Sequence, residues 1–261
     1  MGRKRMIPQR IGPVRRLFLC APVLTGLATE AFAQDRGGPS VSLTPYLWLA
    51  SVTGTLGTAV PALPTQRVEA DFGDVLSHIN AIPVMLAAEI RQGRFGVLAD
   101  LMAISVEADT KPAGTAFSGG EARLRQVIGS VLLAWRVVEG EPVALDLGLG
   151  LRAFGVATRF TLEPGALPDQ RIERDANWVN PIVGLRYRHA IGAGWAATVY
   201  GDLGGAEGDL TWQALATLDY RWSDSVTLSL GYRWLNVERD SGALRQEIGL
   251  GGPLLGATMR F

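Results

Sequence analysis

From Leu210 to Trp222 every even position is apolar (Leu210, Trp212, Ala214, Ala216, Leu218, Tyr220, Trp222). Thr211, Gln213, Thr217, Asp219 and Arg221 hold most of the odd positions, with Leu215 the exception. A period of two sustained over this length fits a half-buried strand and not a helix. Ser223-Asp224-Ser225 turns the chain, after which Val226, Leu228, Leu230, Tyr232 and Trp234 alternate with Thr227, Ser229, Gly231 and Arg233. The chain ends on a further alternating stretch, with Leu255, Ala257, Met259 and Phe261 on one face.

The same alternation recurs upstream. Val41 to Val52 reads as a strand that continues through Gly54 to Val60, with Tyr46 and Trp48 as candidate lipid-facing aromatics. From Pro61 to Asn80 the pattern fails, and Phe72-Gly73-Asp74-Val75-Leu76-Ser77-His78-Ile79 predicts a short helical or plug-like segment near residues 72–79. Ile82 to Arg91 and Phe95 to Leu101 form a hairpin about Gln92-Gly93. Thr110 to Gly120 reads as a polar loop, Glu121 to Val137 as a long strand, and Glu139-Gly140-Glu141-Pro142 as a tight turn. Val143 to Leu151 carries outward apolar residues, Glu163 to Asp175 reads as a second polar loop, and strands follow over Asn177 to Ala190 and Gly194 to Gly204. Short turns thus alternate with longer connections, as in bacterial barrels whose short turns face the periplasm and whose long loops face outward. The expected fold is an all-β, antiparallel transmembrane β-barrel. It has ten strands if Val41 to Val60 makes one crossing, the preferred count, and twelve if the stretch 61–71 hides two more.

The first 33 residues stand apart. Arg3, Lys4, Arg5, Arg10, Arg15 and Arg16 precede the apolar run Leu17 to Leu27, and Ala31-Phe32-Ala33 is a small-x-small cleavage site. This reads as a signal peptide over residues 1–33, leaving 34–261 as one barrel domain. Cys20, the single cysteine, falls within it, so the mature chain has no disulfide framework and no thiolate metal site. Removing six cations and one acid leaves 19 basic and 24 acidic residues, a net charge of −5, which offers no basic surplus for nucleic acid. No mature segment reaches the ~18 consecutive apolar residues of a membrane helix. Mean hydropathy is nevertheless slightly positive, at +0.17, as one lipid-facing and one polar face would average.

The aromatics and charges take positions that this topology gives meaning. Trp135, Trp195 and Trp222 fall beside short turns, and Trp178, Trp212 and Trp234 fall towards long loops, which predicts two aromatic girdles at the headgroup levels. By parity, Glu89, Arg91, Asp100, Arg136, Asp146, Arg152, Arg186, Arg188, Asp202, Asp219, Arg221, Arg233 and Arg260 face the lumen. Eight arginines against five carboxylates would pair into an interior ladder in a narrow barrel, or focus anions through a wider one. The sequence does not set the radius, so both readings stand.

Candidate chemistry is sparse. His189 falls on the lipid side by parity. His78 follows Ser77 directly, and adjacent residues of a helix do not face each other, so the pair is a poor Ser–His catalytic unit. Glu107, Asp109, Glu121, Glu207, Asp209, Glu238 and Asp240 lie near the outer loops, where solvated loop charge is the simpler account than divalent-cation binding. No cofactor, metal site or enzymatic activity is expected.

Thr44-Pro45-Tyr46-Leu47-Trp48, Phe72-Gly73-Asp74-Val75-Leu76, Trp178-Val179-Asn180-Pro181, Gly201-Asp202-Leu203-Gly204, Leu230-Gly231-Tyr232-Arg233-Trp234-Leu235 and Gly252-Pro253-Leu254-Leu255-Gly256 together resemble a family of small proteobacterial outer-membrane barrels described as porin-like. The resemblance implies an outer-membrane location, with the terminal Phe261 as an assembly signal read by the barrel assembly machinery. It transfers no substrate or catalytic residue. The expected function is a monomeric porin-like channel for small solutes with mild anion preference, surrounded by outer-membrane lipids and lipopolysaccharide. The alternative is a closed structural or surface-interaction barrel contacting lipopolysaccharide or a partner through its outer loops, and the third is an outer-membrane lipid hydrolase.

Overall fold

The computed structural model describes residues 38–58, 66–70, 73, 83–110, 117–206, 208–240 and 244–261. The expected signal peptide lies outside the described residues, as does the 72–79 segment apart from Gly73. Twelve strand segments form one antiparallel sheet: β1 (Ser40–Trp48), β2 (Ser51–Thr58), β3 (Gln66–Ala70), β4 (Val84–Gln92), β5 (Phe95–Thr110), β6 (Phe117–Val138), β7 (Val143–Pro164), β8 (Gln170–Gly192), β9 (Trp195–Gly204), β10 (Leu210–Arg221), β11 (Val226–Asp240) and β12 (Leu244–Arg260).

The sheet closes through β12, which pairs with both halves of a divided first crossing. Leu43 to Trp48 lie opposite Met259 to Leu254, and Ser51 to Thr58 lie opposite Gly251 to Leu244. On the other side of that crossing β4 pairs with β1 and β3 with β2. Twelve segments therefore make ten crossings, the count preferred from the sequence. The break falls opposite Gly252-Pro253. Pro253 has no amide proton to give a ladder, and it instead accepts from the Leu49 amide at 2.9 Å. A Cβ on Gly252 would sit 2.0 Å from the Leu49 carbonyl oxygen, so only glycine permits that approach. Through these pairings the ring of crossings closes on itself, which pairs the backbone polar groups of the wall as a hydrocarbon surrounding demands, while β3 and the outer parts of β5 and β8 pair on one side only among the described residues.

β6, β7 and β8 run for 22, 22 and 23 residues, twice the ~9–11 that a tilted strand needs to cross a bilayer. Parts of two expected loops are accordingly strand: Thr110 and Phe117 to Gly120 of the first, whose residues 111–116 lie outside the described residues, and 163–164 and 170–175 of the second. β5 and β6 stay paired to Thr110 opposite Gly120, and β7 and β8 to Leu162 opposite Gln170. The connection between β7 and β8 is only residues 165–169, closed by the Gly165 amide donating to the Leu167 carbonyl at 2.9 Å. Past Val127 and Val179 the outward faces of β6 and β8 carry Arg125, Arg123, Asn177, Asp175 and Glu173, while the inner faces mix Leu124 and Ile172 with Gln126 and Arg174. In sequence the period of two then fades, although the pairing persists.

Five tryptophans, Trp135, Trp195, Trp212, Trp222 and Trp234, face outward and are exposed. Trp178 does not join them. It shares parity with Asn180 and Ile182 on the inner face, stacks on Phe154 with centroids 4.7 Å apart, and carries the Arg239 guanidinium 4.2 Å from its ring centre. Tyr46 and Trp48 also point inward and not to lipid, because they share parity with Ser42 and Thr44. Phe261 is exposed at the barrel's end, its amide donating to the Val41 carbonyl at 2.9 Å.

Candidate functional site in the barrel interior

Because side chains alternate along every strand, the inner wall collects the polar set of each, and the long arginines reach across it. In the ring β4 and β8 are separated by three strands on one side, yet Arg186 on β8 donates from Nη1 and Nη2 to both oxygens of Glu89 on β4, at 2.8 and 2.9 Å. Arg186 also donates to Asp146 at 2.7 Å, where Arg136 (2.9 Å) and Arg91 (3.1 Å) join it. Three arginines thus share two carboxylates. Planar forks suit this arrangement, since each offers several donors in fixed directions.

Nearer the middle of the barrel are two more enclosed pairs. Arg152 donates to Asp202 at 2.6 Å, to Ser130 at 3.0 Å and to Thr211 at 3.1 Å, and the Tyr200 hydroxyl donates to the same Asp202 oxygen at 2.6 Å. Arg233 on β11 reaches over the lumen to Asp100 on β5 at 2.8 Å, and donates to Gln213 at 2.6 Å and to the Tyr46 hydroxyl at 2.8 Å. Its guanidinium lies 4.9 Å from the Trp48 ring centre, a cation–π contact inside the wall.

Towards the outer side an apolar cluster spans the interior. Trp48, Met85, Met102, Ile128, Phe154, Leu235, Val237, Leu250 and Leu254 are buried together, with Trp178 and Leu215 packed against them. They come from β1, β4, β5, β6, β7, β8, β10, β11 and β12, nearly the whole circumference. Each large side chain contributes roughly 1.5–3 kcal/mol relative to facing water. Towards the short turns lies a cavity of about 520 Å³, lined by Glu89, Asp100, Arg188, Asp219, Arg260 and wall hydroxyls. Asp219 accepts from Thr198 at 2.6 Å and Ser229 at 2.7 Å, and more distantly from Arg188 at 3.4 Å.

Of the thirteen charged positions read as luminal, eleven sit inside. Arg221 and Arg260 are exposed at the short-turn mouth and form no ion pair among the described residues. The neutral partners Tyr46, Ser130, Tyr200, Gln213 and Thr211 were not among the expected luminal residues, although strand parity puts each on the inner face. The apolar cluster had one signal, doublets such as Trp234-Leu235 and Leu254-Leu255 in which both faces are apolar. The luminal carboxylates are held by arginines. His189 meets the Tyr187 hydroxyl at 3.1 Å on the outer surface, and Ser77 and His78 lie outside the described residues.

The outward face beyond the apolar band carries a charged row in register, Glu107, Arg123, Arg159 and Glu173 on β5 to β8. Arg123 donates to Glu107 at 2.7 Å, and Arg159 and Arg171 each donate to Glu173 at 2.8 Å. Those two bonds hold the Glu173 carboxyl below the usual carboxylate range. Arg125, one row nearer the apolar band, is exposed without an ion pair among the described residues.

No family model and no curated protein matches the chain. Among solved structures, the chain is similar to the outer membrane protease OmpT from Escherichia coli, with a TM-score of 0.50 and 10% identity over 90% of this chain and 99% of that one. It is more distantly similar to Ail of Yersinia pestis, with a TM-score of 0.39 and 12% identity over 86% of this chain and 99% of that one. The Pseudomonas putida toluene transporter TodX gives a TM-score of 0.33 and 8% identity over 86% and 90% of the two chains. The fold is that of Gram-negative outer-membrane β-barrels, and the outward apolar band with its exposed tryptophans is the surface such a barrel turns to lipid.

Proposed function

We propose that this chain is a sealed outer-membrane barrel that works at the cell surface through its β5–β8 extension, not by passing solutes. The observation that carries this reading is the cross-lumen pairing: Arg186 with Glu89 and Arg233 with Asp100 tie opposite walls together at 2.8 Å, beneath an apolar cluster drawn from nearly the whole ring. A solute path needs continuous water, and these side chains occupy the space it would take. The extension meets the outer leaflet with Arg125, Arg123 and Arg159 directly beyond the apolar band, at the height of lipopolysaccharide phosphates. Channel function is the second reading, favoured by the 520 Å³ cavity and by Arg221 and Arg260 at the mouth, which form no ion pair among the described residues.

Liposome swelling separates the two. Proteoliposomes of the refolded barrel are expected to swell in an isotonic small sugar no faster than empty liposomes, and faster swelling would refute closure. For the surface role, purified lipopolysaccharide is expected to bind the wild type more tightly than an R125Q/R159Q variant. Equal binding would remove the lipid from the proposal.

A further inference from the structure

The cavity near the short turns holds more cation than the barrel's own pairing uses. Arg188 meets Asp219 only at 3.4 Å, while Thr198 and Ser229 bond that carboxylate more closely. Arg221 and Arg260 form no ion pair among the described residues, and together with Arg186 they act on Arg188 as like charges. The cavity lining brings six arginines against Glu89, Asp100 and Asp219, and Asp146, which Arg91, Arg136 and Arg186 share, makes four carboxylates, so the local surplus is two positive charges. Hydroxyls of Ser42, Thr227 and Thr258 line the same space. Arg221 directly precedes a short turn and Arg260 ends β12, so the mouth opens on the periplasmic side.

We propose that this chamber binds a small hydroxylated dianion of the sugar-phosphate class from the periplasm. A phosphate monoester carries about −1.5 to −2 charges at neutral pH and three acceptor oxygens, which matches the local surplus and the geometry of guanidinium forks. The wall hydroxyls supply partners for the sugar. A volume of about 520 Å³ suits a ligand of this size. The site needs the chamber and its arginines but not the closure above them, so it goes beyond the sealed-barrel reading and does not depend on it.

Isothermal titration calorimetry of the refolded barrel with glucose 6-phosphate, inorganic phosphate and glucose tests this. Saturable binding is expected for glucose 6-phosphate, weaker binding for phosphate and none for glucose. R188Q/R260Q is expected to lower the sugar-phosphate affinity by about tenfold or more, the scale of lost charge-assisted hydrogen bonds, while R171Q on the outer hairpin leaves it unchanged. Should the double variant fail to fold, R260Q alone carries the comparison, since the Arg260 side chain is exposed and makes no ion pair among the described residues. No saturable binding by the wild type, equal affinity for glucose, or an unchanged affinity in the folded variant overturns the proposal.

Discussion

Arg152 on β7 and Asp202 on β9 pair at 2.6 Å with both side chains wholly enclosed, at 0% exposure each. They are not opposite one another. Arg152 faces Asn180 across β7–β8, whereas Asp202 faces Gly184 across β8–β9, so the guanidinium must lean along the wall to reach its partner. Gly184 leaves the space that Tyr200 and Asp202 use, since a Cβ there would lie 3.3 Å from the Tyr200 hydroxyl and 3.4 Å from the Asp202 Cβ.

Removing one member of so enclosed a pair leaves a buried charge without its counter-ion, a loss of about 3–5 kcal/mol. D202A is expected to lower the urea midpoint of the refolded barrel strongly, and R152M/D202L, with apolar groups of similar volume, to recover most of the loss. Equilibrium unfolding in lipid followed by tryptophan fluorescence checks both. A double variant no more stable than the single one would count against a paired, dry site.

The apolar cluster is expected to behave as a packed core. F154A removes the ring stacked on Trp178 and leaves a cavity, at a cost of about 3–5 kcal/mol. Unfolding measurements on F154A and on L133A, whose parent side chain is exposed on the lipid face, compare core with surface. Similar small losses in both would mean that the interior is not packed at Phe154.

Quenching by brominated lipid tests which way the tryptophans face. In single-tryptophan variants Trp212, Trp234, Trp195, Trp135 and Trp222 should be quenched, whereas Trp48 and Trp178 should remain bright. Strong quenching of Trp178 would return it to the outer girdle.

Much of the wall was legible in the sequence because β10 to β12 keep a period of two over most of their length, and parity alone turned Glu89, Asp146 and Arg186 inward. The same rule would have turned Tyr46, Trp48 and Trp178 inward had it been applied ahead of the expectation that aromatics seek lipid. Beyond the bilayer the rule loses its signal, since Arg171 and Glu173 face outward on a strand whose inner face is also partly polar. The stretch 163–175 therefore looked like a loop. Which inward charges meet was not legible. Arg186 and Glu89 are 97 residues apart, and ring closure and strand stagger decide that they face each other.

Acidification should act on the outer hairpin through Glu173. Glu173 has its carboxyl held below the usual range by hydrogen bonds from Arg171 and Arg159, so its contribution is present above the unfolded value and is lost as pH falls through the depressed folded value. The β7–β8 tip is expected to keep its amide protection through neutral and mildly acidic pH and to lose it only below the ordinary glutamate range. Hydrogen exchange over residues 159–173 reads this, with E173Q expected to abolish the step. A step near neutrality, or one that survives E173Q, would assign it elsewhere.

Single-channel recording of the refolded barrel in planar bilayers asks most directly whether the interior is closed. With opposite walls tied by Arg186–Glu89 and Arg233–Asp100 beneath the Trp48–Phe154 cluster, no discrete conductance steps are expected from the wild type. A folded W48A/F154A/L235A variant should begin to show them. Reproducible steps from the wild type, with a reversal potential that leans towards anions in a salt gradient, would contradict closure and establish the arginine-lined lumen as a pore.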